Sequence, residues 1–589
     1  MNHKLKPLLL LLSITLLQAC ITDEEPPAIN LQYADNHSPT YDEVIEYYRA
    51  LADHYPAARL LEAGDTDVGK PLHVFIISGD ELFDPAAIKA NGQSIVLINN
   101  GIHAGEPAGV DASLRYARQL LAGKDGLDDI LEQTVIAIIP VYNIGGLLNR
   151  SPYHRMNQDG PKYKGGRRNA RNLDLNRDFA KQDSRNALSF ADIFQLLDPD
   201  IFLDTHTTNG IEHESVMTLI PTLHNHLADE LATFFREEMT PSLYRRMNAE
   251  SPHGAIPYLH RPSRGDIRDG IAAFNDHPDY SSGYAALYNT PGFITETQFA
   301  KPYPERVEAT YDFISLLADY TATHTKRIRK LRQMARDETA NQRDFVLDRT
   351  LNMEQHDSLL FKGYETSQAT APLTGRPVTT YDYDSPLEVQ IPFFNTYDAT
   401  LTVTAPEAYI VPQAWHEVIR RLELNGVEIT RLGNDTVLEV ETMYIREYET
   451  ASGTTQGRQR ASLMETDKVT GPRQFYEGDA VIHTNQHSNN YIVHMLEPEA
   501  PSSFFSWGFF NAALEDGEWW WIFGFEDYAY QQLQEDEQLR AAFRSKKEDD
   551  KDFADDPRAM LEFILNYITR EETERGWHLY PVASFRAKS

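Results

Sequence analysis

In the first half of the chain, runs of consecutive apolar residues alternate with amphipathic stretches. "LHVFIIS" (72–78), "SIVLINN" (94–100) and "TVIAIIPVYN" (134–143) are rich in β-branched residues with no polar face, the pattern of strands covered on both sides. Between the last two, apolar positions at helical spacing predict a helix over about 108–121. "TYDEVIEYYRALADHYP" reads as a helix behind a Ser38 or Thr40 cap. Further helices are predicted near 184–197, 227–239 and 304–336, and strands at "DIFLDTH", "SVMTLIP" and "GFITET". The alternation predicts an α/β fold over 41–335, with a mixed, mostly parallel sheet covered by helices.

Beyond residue 343 the rhythm changes. "PLEVQIPFFNTYDATLTVTAP" predicts short strands, and "AWHEVIRRLELNGVEI" predicts a helix stopped by Gly426. "AVIHT", "NYIVHML" and the aromatic cluster "EWWWIFGFEDYAY" follow, without internal repeat or low-complexity tract. Residues 343–589 therefore read as a partly β accessory region with no interpretable motif. Trp519 to Trp521 could form a carbohydrate platform, although packing in a core or interface is the simpler reading.

A length of 589 residues exceeds one ordinary domain. A formal charge of −33 excludes a nucleic-acid binder and gives no basic surface for anionic lipid. At the amino terminus, Lys4 and Lys6 precede an apolar run too short to span a bilayer comfortably, which reads as an export leader over 1–19. "LLQAC" resembles a bacterial lipobox, and Cys20 is the single cysteine of the chain. That resemblance implies cleavage before Cys20, acylation of its thiol and attachment to the cell envelope, with Ile21 pointing to the outer membrane. An ordinary secretory leader with an incidental cysteine is the alternative. Residues 20–40 are polar and proline-bearing, as a spacer between anchor and domain would be. With one cysteine, no intrachain disulfide can form.

Ligand sites in open α/β sheets form where loops leave the carboxyl ends of strands. His103 and Glu106 follow one predicted strand, His206 ends another, and Glu296 closes "GFITE". Two imidazoles and a carboxylate suit Zn²⁺ and leave a fourth position open for water. Each residue alone also fits a packed or solvated polar side chain; their order along the fold raises the signal. The segment "GGRRNARNLDLNRDF" (165–179) carries four arginines, whose guanidinium forks suit a substrate carboxylate.

Together, "HAGE", "RRNARNLDLNRDF", "DTH" and "ITET" resemble the zinc metallocarboxypeptidase family over about residues 41–335. The resemblance implies His103, Glu106 and His206 as zinc ligands, and Asp174 as the carboxylate that orients the first histidine. It further implies Asn176 and Arg177 as the grip on a terminal carboxylate, Arg167 as oxyanion stabiliser, with Arg168 or Arg171 in reserve, and Glu296 as general base. The implied activity is a zinc-dependent exopeptidase acting on peptides with a free C-terminal carboxylate. An amidohydrolase of the same fold, acting on N-acyl amino acids or peptidoglycan peptides, uses the same groups, and a retired enzyme serving as a surface peptide- or glycan-binding lipoprotein is a third reading. The family's mobile tyrosine has no counterpart at the expected spacing among Tyr280, Tyr284 and Tyr288.

Overall fold

The structure is a computed structural model that describes residues 27–123, 129–208, 210–262, 265–515, 524–568 and 578–586. The leader, Cys20 and Trp519 to Trp521 lie outside these residues.

The first half builds strands β1 (Ala58–Gly64), β2 (Leu72–Ile77), β3 (Ser94–Asn100), β4 (Thr134–Ile139), β5 (Ile201–Thr208), β6 (Met217–Pro221), β7 (Ala255–Pro257), a short β8 (Ile271–Ala272) and β9 (Gly292–Gln298). All but β8 join in one mixed sheet of order β1-β2-β4-β3-β5-β9-β6-β7. The central strands β4, β3, β5 and β9 run parallel, and antiparallel pairings at β2–β4 and β9–β6 flank them.

Side chains of β3 alternate between two cores. Val96 and Ile98 meet the helices Tyr41–His54, Ala108–Leu121 and Tyr303–Asn341 on one face, while Ile95 and Leu97 belong to the core of the other. The first helix starts where Thr40 and Glu43 exchange hydrogen bonds in a capping box. The helix expected over 227–239 runs on to Glu250 through a π-turn at Phe235–Met239, just ahead of Pro241, whose missing N–H breaks the regular ladder.

The second core is filled from both halves of the chain. Phe190 and Phe194 come from the helix Arg185–Leu197, while Tyr409, Ile419, Leu422, Tyr491 and Ile492 come from beyond residue 343. Each such side chain, fully buried, contributes about 1.5–3 kcal/mol. The later region is thus the cover of the sheet's second face.

Strand β10 (Asp344–Leu351) pairs with β13 (Tyr397–Thr404), and β11 (Asp357–Thr370) and β12 (Pro377–Phe394) form a long hairpin that reaches β8. Strands β14 (Ala408–Val411), β15 (Thr430–Arg431), β16 (Thr436–Thr450), β17 (Ala461–Phe475), β18 (Ala480–His483) and β19 (Ala583–Phe585) form a sheet of order β15-β18-β14-β19-β16-β17. "AVIHT" is β18, whereas "NYIVHML" lies in the helix Asn489–Leu496. The strands of the two hairpins are much longer than the short ones the sequence suggests. Most of their residues are exposed, so they carry little of the apolar alternation that marks a strand.

Polar side chains fix the seam between the halves. The helix His416–Leu424 stops at Asn425, and Gly426 turns the chain with φ +72°. The buried Asn425 amide pairs with that of Gln182 at 3.0 and 2.9 Å and accepts from the Tyr284 hydroxyl at 2.7 Å.

His213, which bridges to Gly363 of β11, is fully buried, and neither ring nitrogen has a hydrogen-bond partner among the described residues. Burial, with Lys301 adding, pushes its imidazole down to about 3. Below about pH 6.5 the unfolded chain binds a proton that the folded chain refuses, so stability falls as pH drops through that window. Denaturant unfolding at about pH 7 and pH 5 should show a smaller loss in His213→Leu than in the wild type. Equal losses would remove His213 from the acid response.

Candidate metal centre and active site

Strand β3 ends at Asn100, and Gly101 turns the chain with φ +69°. The loop then folds so that the Glu106 N–H donates to the His103 carbonyl at 2.8 Å. The helix Ala108–Leu121 follows at once. Gly109, in its first turn, lies against β5: a Cβ there would sit 1.9 Å from Thr205 Oγ1. Only glycine lets this helix approach the strand that carries His206.

His103, Glu106 and His206 converge. Each offers a ligand atom within 4.8 Å of the others, and all three are buried. The His103 and His206 Nδ1 atoms lie 3.2 Å apart, and Glu106 is 3.1 Å from each, through Oε1 and Oε2 respectively. Behind them, His103 Nε2 meets Asp174 Oδ1 at 3.1 Å and His206 Nε2 meets Asp204 Oδ2 at 2.8 Å. An ionised carboxylate only accepts, so each Nε2 carries the proton and each Nδ1 is left with a lone pair. Two lone pairs and a carboxylate facing one point repel unless a cation sits between them, and this donor set fits zinc.

The electrostatics agree. Burial would depress the His206 imidazolium, but Asp204 and Glu106 outweigh it and hold the group well above its ordinary value. Burial likewise works to raise Glu106, yet His103 and Arg155 keep it well below the usual carboxylate range. The centre favours positive charge. Arg155 NH1 lies 2.9 Å from Glu106 Oε1, and its NH2 donates to the Thr207 carbonyl at 2.8 Å.

Glu296 neighbours His206 directly, because β5 and β9 pair in register at that position. Burial pushes its carboxyl up to about 7, against the pull of His206 and with help from Glu106. Arg167 is 39% exposed and spans the site, with Nε donating to Asp174 Oδ2 at 3.0 Å and NH1 3.3 Å from His103 Nδ1. Arg168 and Arg171 turn away, to the carbonyls of Asn172 and Asp183. Asn176 is buried and accepts the Ser281 N–H at 3.2 Å. The Arg177 guanidinium lies 4.0 Å above the Tyr280 ring. Tyr284 and Tyr288 are in the core, their hydroxyls on Asn425.

His103, Glu106, His206, Asp174, Arg167 and Glu296 are thus brought together, with Asn176 and Arg177 two and three residues beyond Asp174, whereas Arg168, Arg171, Tyr284 and Tyr288 point elsewhere and Cys20 lies outside the described residues. Two partners were missed. Asp204 lies two residues before His206 on β5 and so faces the same side, a readable signal in "DTH". Arg155 sits in a loop with left-handed backbone (φ 47°), outside any motif spacing.

Residues 44–198 match the family model for zinc carboxypeptidase. Carboxypeptidase 2 of Trichophyton tonsurans is 23% identical over 446 residues, covering 72% of this chain and 75% of that protein. Carboxypeptidase 2 of Trichophyton rubrum is 22% identical over 502 residues, covering 82% and 86%. Among solved structures, the metallo-carboxypeptidase from Burkholderia cenocepacia aligns with a TM-score of 0.37 at 14% identity, covering 49% of this chain and 71% of that one. Carboxypeptidase A from Helicoverpa armigera aligns with a TM-score of 0.37 at 16% identity, covering 52% and 76%. With its domain model matched over residues 44–198 and its donor set assembled, the chain carries a zinc carboxypeptidase domain. It is a zinc metallocarboxypeptidase, and zinc is its cofactor.

Metal analysis of the purified protein should find about one zinc per chain, the stoichiometry of a single mononuclear site. His206→Ala should lose it, whereas Glu296→Gln should retain it. Full zinc in the His206 variant would move the metal elsewhere.

Proposed function

We propose that the chain is an exopeptidase that removes C-terminal residues from peptides ending in a free carboxylate. The observation that carries this reading is the convergence of His103, Glu106 and His206 beside Glu296, with Arg167 against His103 and Asp174 and with Arg177 three residues beyond Asp174.

His103, Glu106 and His206 would hold zinc, with Asp174 and Asp204 orienting the two imidazoles from behind. When bound, zinc lowers the pKa of water to about 7 and polarises a carbonyl. Arg177 and Asn176 bind the substrate's terminal carboxylate and set the scissile bond against Glu296. Glu296 takes a proton from water as its oxygen adds to the carbonyl carbon. A carboxyl raised to about 7 suits both this step and its reverse. Arg167 donates to the oxygen that gains negative charge. Glu296 then delivers the proton to the leaving nitrogen as the C–N bond breaks. The products are a shortened peptide and a free amino acid.

The leader reading adds that the chain is exported and held to the cell envelope by acylated Cys20. Lys4, Lys6, the apolar run and "LLQAC" support it. No helix among the described residues is long and apolar enough to cross a membrane.

Glu296→Gln should lower kcat by about 10²- to 10⁴-fold with zinc retained; undiminished turnover would remove it as the base. The wild type should hydrolyse a blocked dipeptide acid and leave the corresponding amide intact, and equal rates on both would refute the carboxylate grip. Cys20→Ser should shift the protein from the membrane to the soluble fraction and abolish labelling by a fatty-acid probe; unchanged membrane association would refute the anchor.

A further inference from the structure

The segment 174–183, which carries Asn176 and Arg177, is held from outside the matched family domain. Strands β16 and β17 are joined by a hairpin tip that ends in a two-residue turn, Gln456-Gly457. The Thr455 and Arg458 backbones close it with bonds of 2.8 and 3.1 Å. Both turn residues have positive φ, 52° and 79°, as a type I′ turn requires. Asn, Asp or Gly is the ordinary choice at the first position, and glutamine is not. Its side chain accounts for its presence: Gln456 Oε1 accepts the Asp174 N–H at 2.8 Å and lies 3.4 Å from Arg168 NH1.

Asp174 is the hub of the cleft. Its carboxylate accepts from His103, from Arg167 and from the Asn176 N–H at 3.1 Å. Its carbonyl accepts the Arg177 N–H at 3.0 Å, and its own N–H goes to the hairpin. Two residues further along the tip, Arg458 forks onto Asp183 at 2.7 and 2.6 Å. The tip thus brackets Asn176 and Arg177 at both ends. Beneath them, Trp507 Nε1 and Ser502 Oγ donate to Asp279 at 2.8 and 3.0 Å, and Asp279 precedes the Tyr280 ring on which Arg177 rests.

We infer that the β16–β17 hairpin sets the geometry of the substrate-carboxylate grip, with Gln456 as its positioning residue, so that the region beyond residue 343 governs substrate affinity. This rests on the reading of Asn176 and Arg177 as that grip. Among the described residues the hydrogen bonds of the tip reach Asp174 and Asp183 at the two ends of the grip and none reaches His103, Glu106, His206 or Glu296, so its influence falls on binding more than on the chemical step.

Gln456→Asn separates this role from simple support. Asparagine suits the turn better but is one methylene too short for the Asp174 N–H. Steady-state kinetics on a blocked dipeptide acid should show KM raised about 5- to 10-fold and kcat within about twofold. The unfolding temperature should be unchanged or higher. Gln456→Glu, which keeps the length and the acceptor, should restore KM. Unchanged KM in Gln456→Asn would overturn the inference alone. So would a joint fall of kcat and unfolding temperature that the glutamate variant fails to rescue. A wild type that cleaves dipeptide acid and amide equally well would overturn the carboxylate grip and this inference with it.

Discussion

Two imidazole nitrogens that must both be unprotonated face each other 3.2 Å apart with a carboxylate against them, and that repulsion organises the rest of the molecule. The charge is built in from behind: Asp174 and Asp204 take the outer protons of the rings and leave the inner lone pairs exposed to one point. Such an arrangement calls for positive charge at its centre. The fold keeps the pieces from relaxing apart by rooting His206 and Glu296 in register on parallel strands and by pressing a glycine-bearing helix onto the same strand.

The second half of the chain serves this centre without contributing a metal ligand. It supplies the apolar cover for one face of the catalytic sheet and, through the Asn425 amide, fixes the segment that follows Arg177. It also holds the segment around Asn176 and Arg177, by way of Gln456 on Asp174, Arg458 on Asp183 and Trp507 on Asp279. The second half is therefore built into the same body as the catalytic sheet. The similarity to the Trichophyton carboxypeptidases runs well beyond residues 44–198, as expected if the later region is bound up with the sheet.

What could be read from the sequence follows from what each feature does to local composition. Buried parallel strands announce themselves as unbroken β-branched runs, and the polar residues at their carboxyl ends stand out against them; hence His103, Glu106, His206 and Glu296 were visible. Asp204 was in plain view but needed the period of two along a strand to acquire meaning. Arg155 and Gln456 gave no sign, because a loop residue with positive φ and a polar residue at an exposed hairpin tip are common in any sequence. The long hairpins escaped for a related reason: strands wet on most of their residues have no hydrophobic rhythm.

Strand β19 shows how late this architecture is completed. Ala583–Phe585 enters between β14 and β16, strands made well over a hundred residues earlier. Until those three residues arrive, two inner strand margins stand open and the sheet that adjoins the catalytic core is in two pieces. Three residues far along the chain therefore weld the two parts of that sheet into one, β14 on one side and β16 on the other.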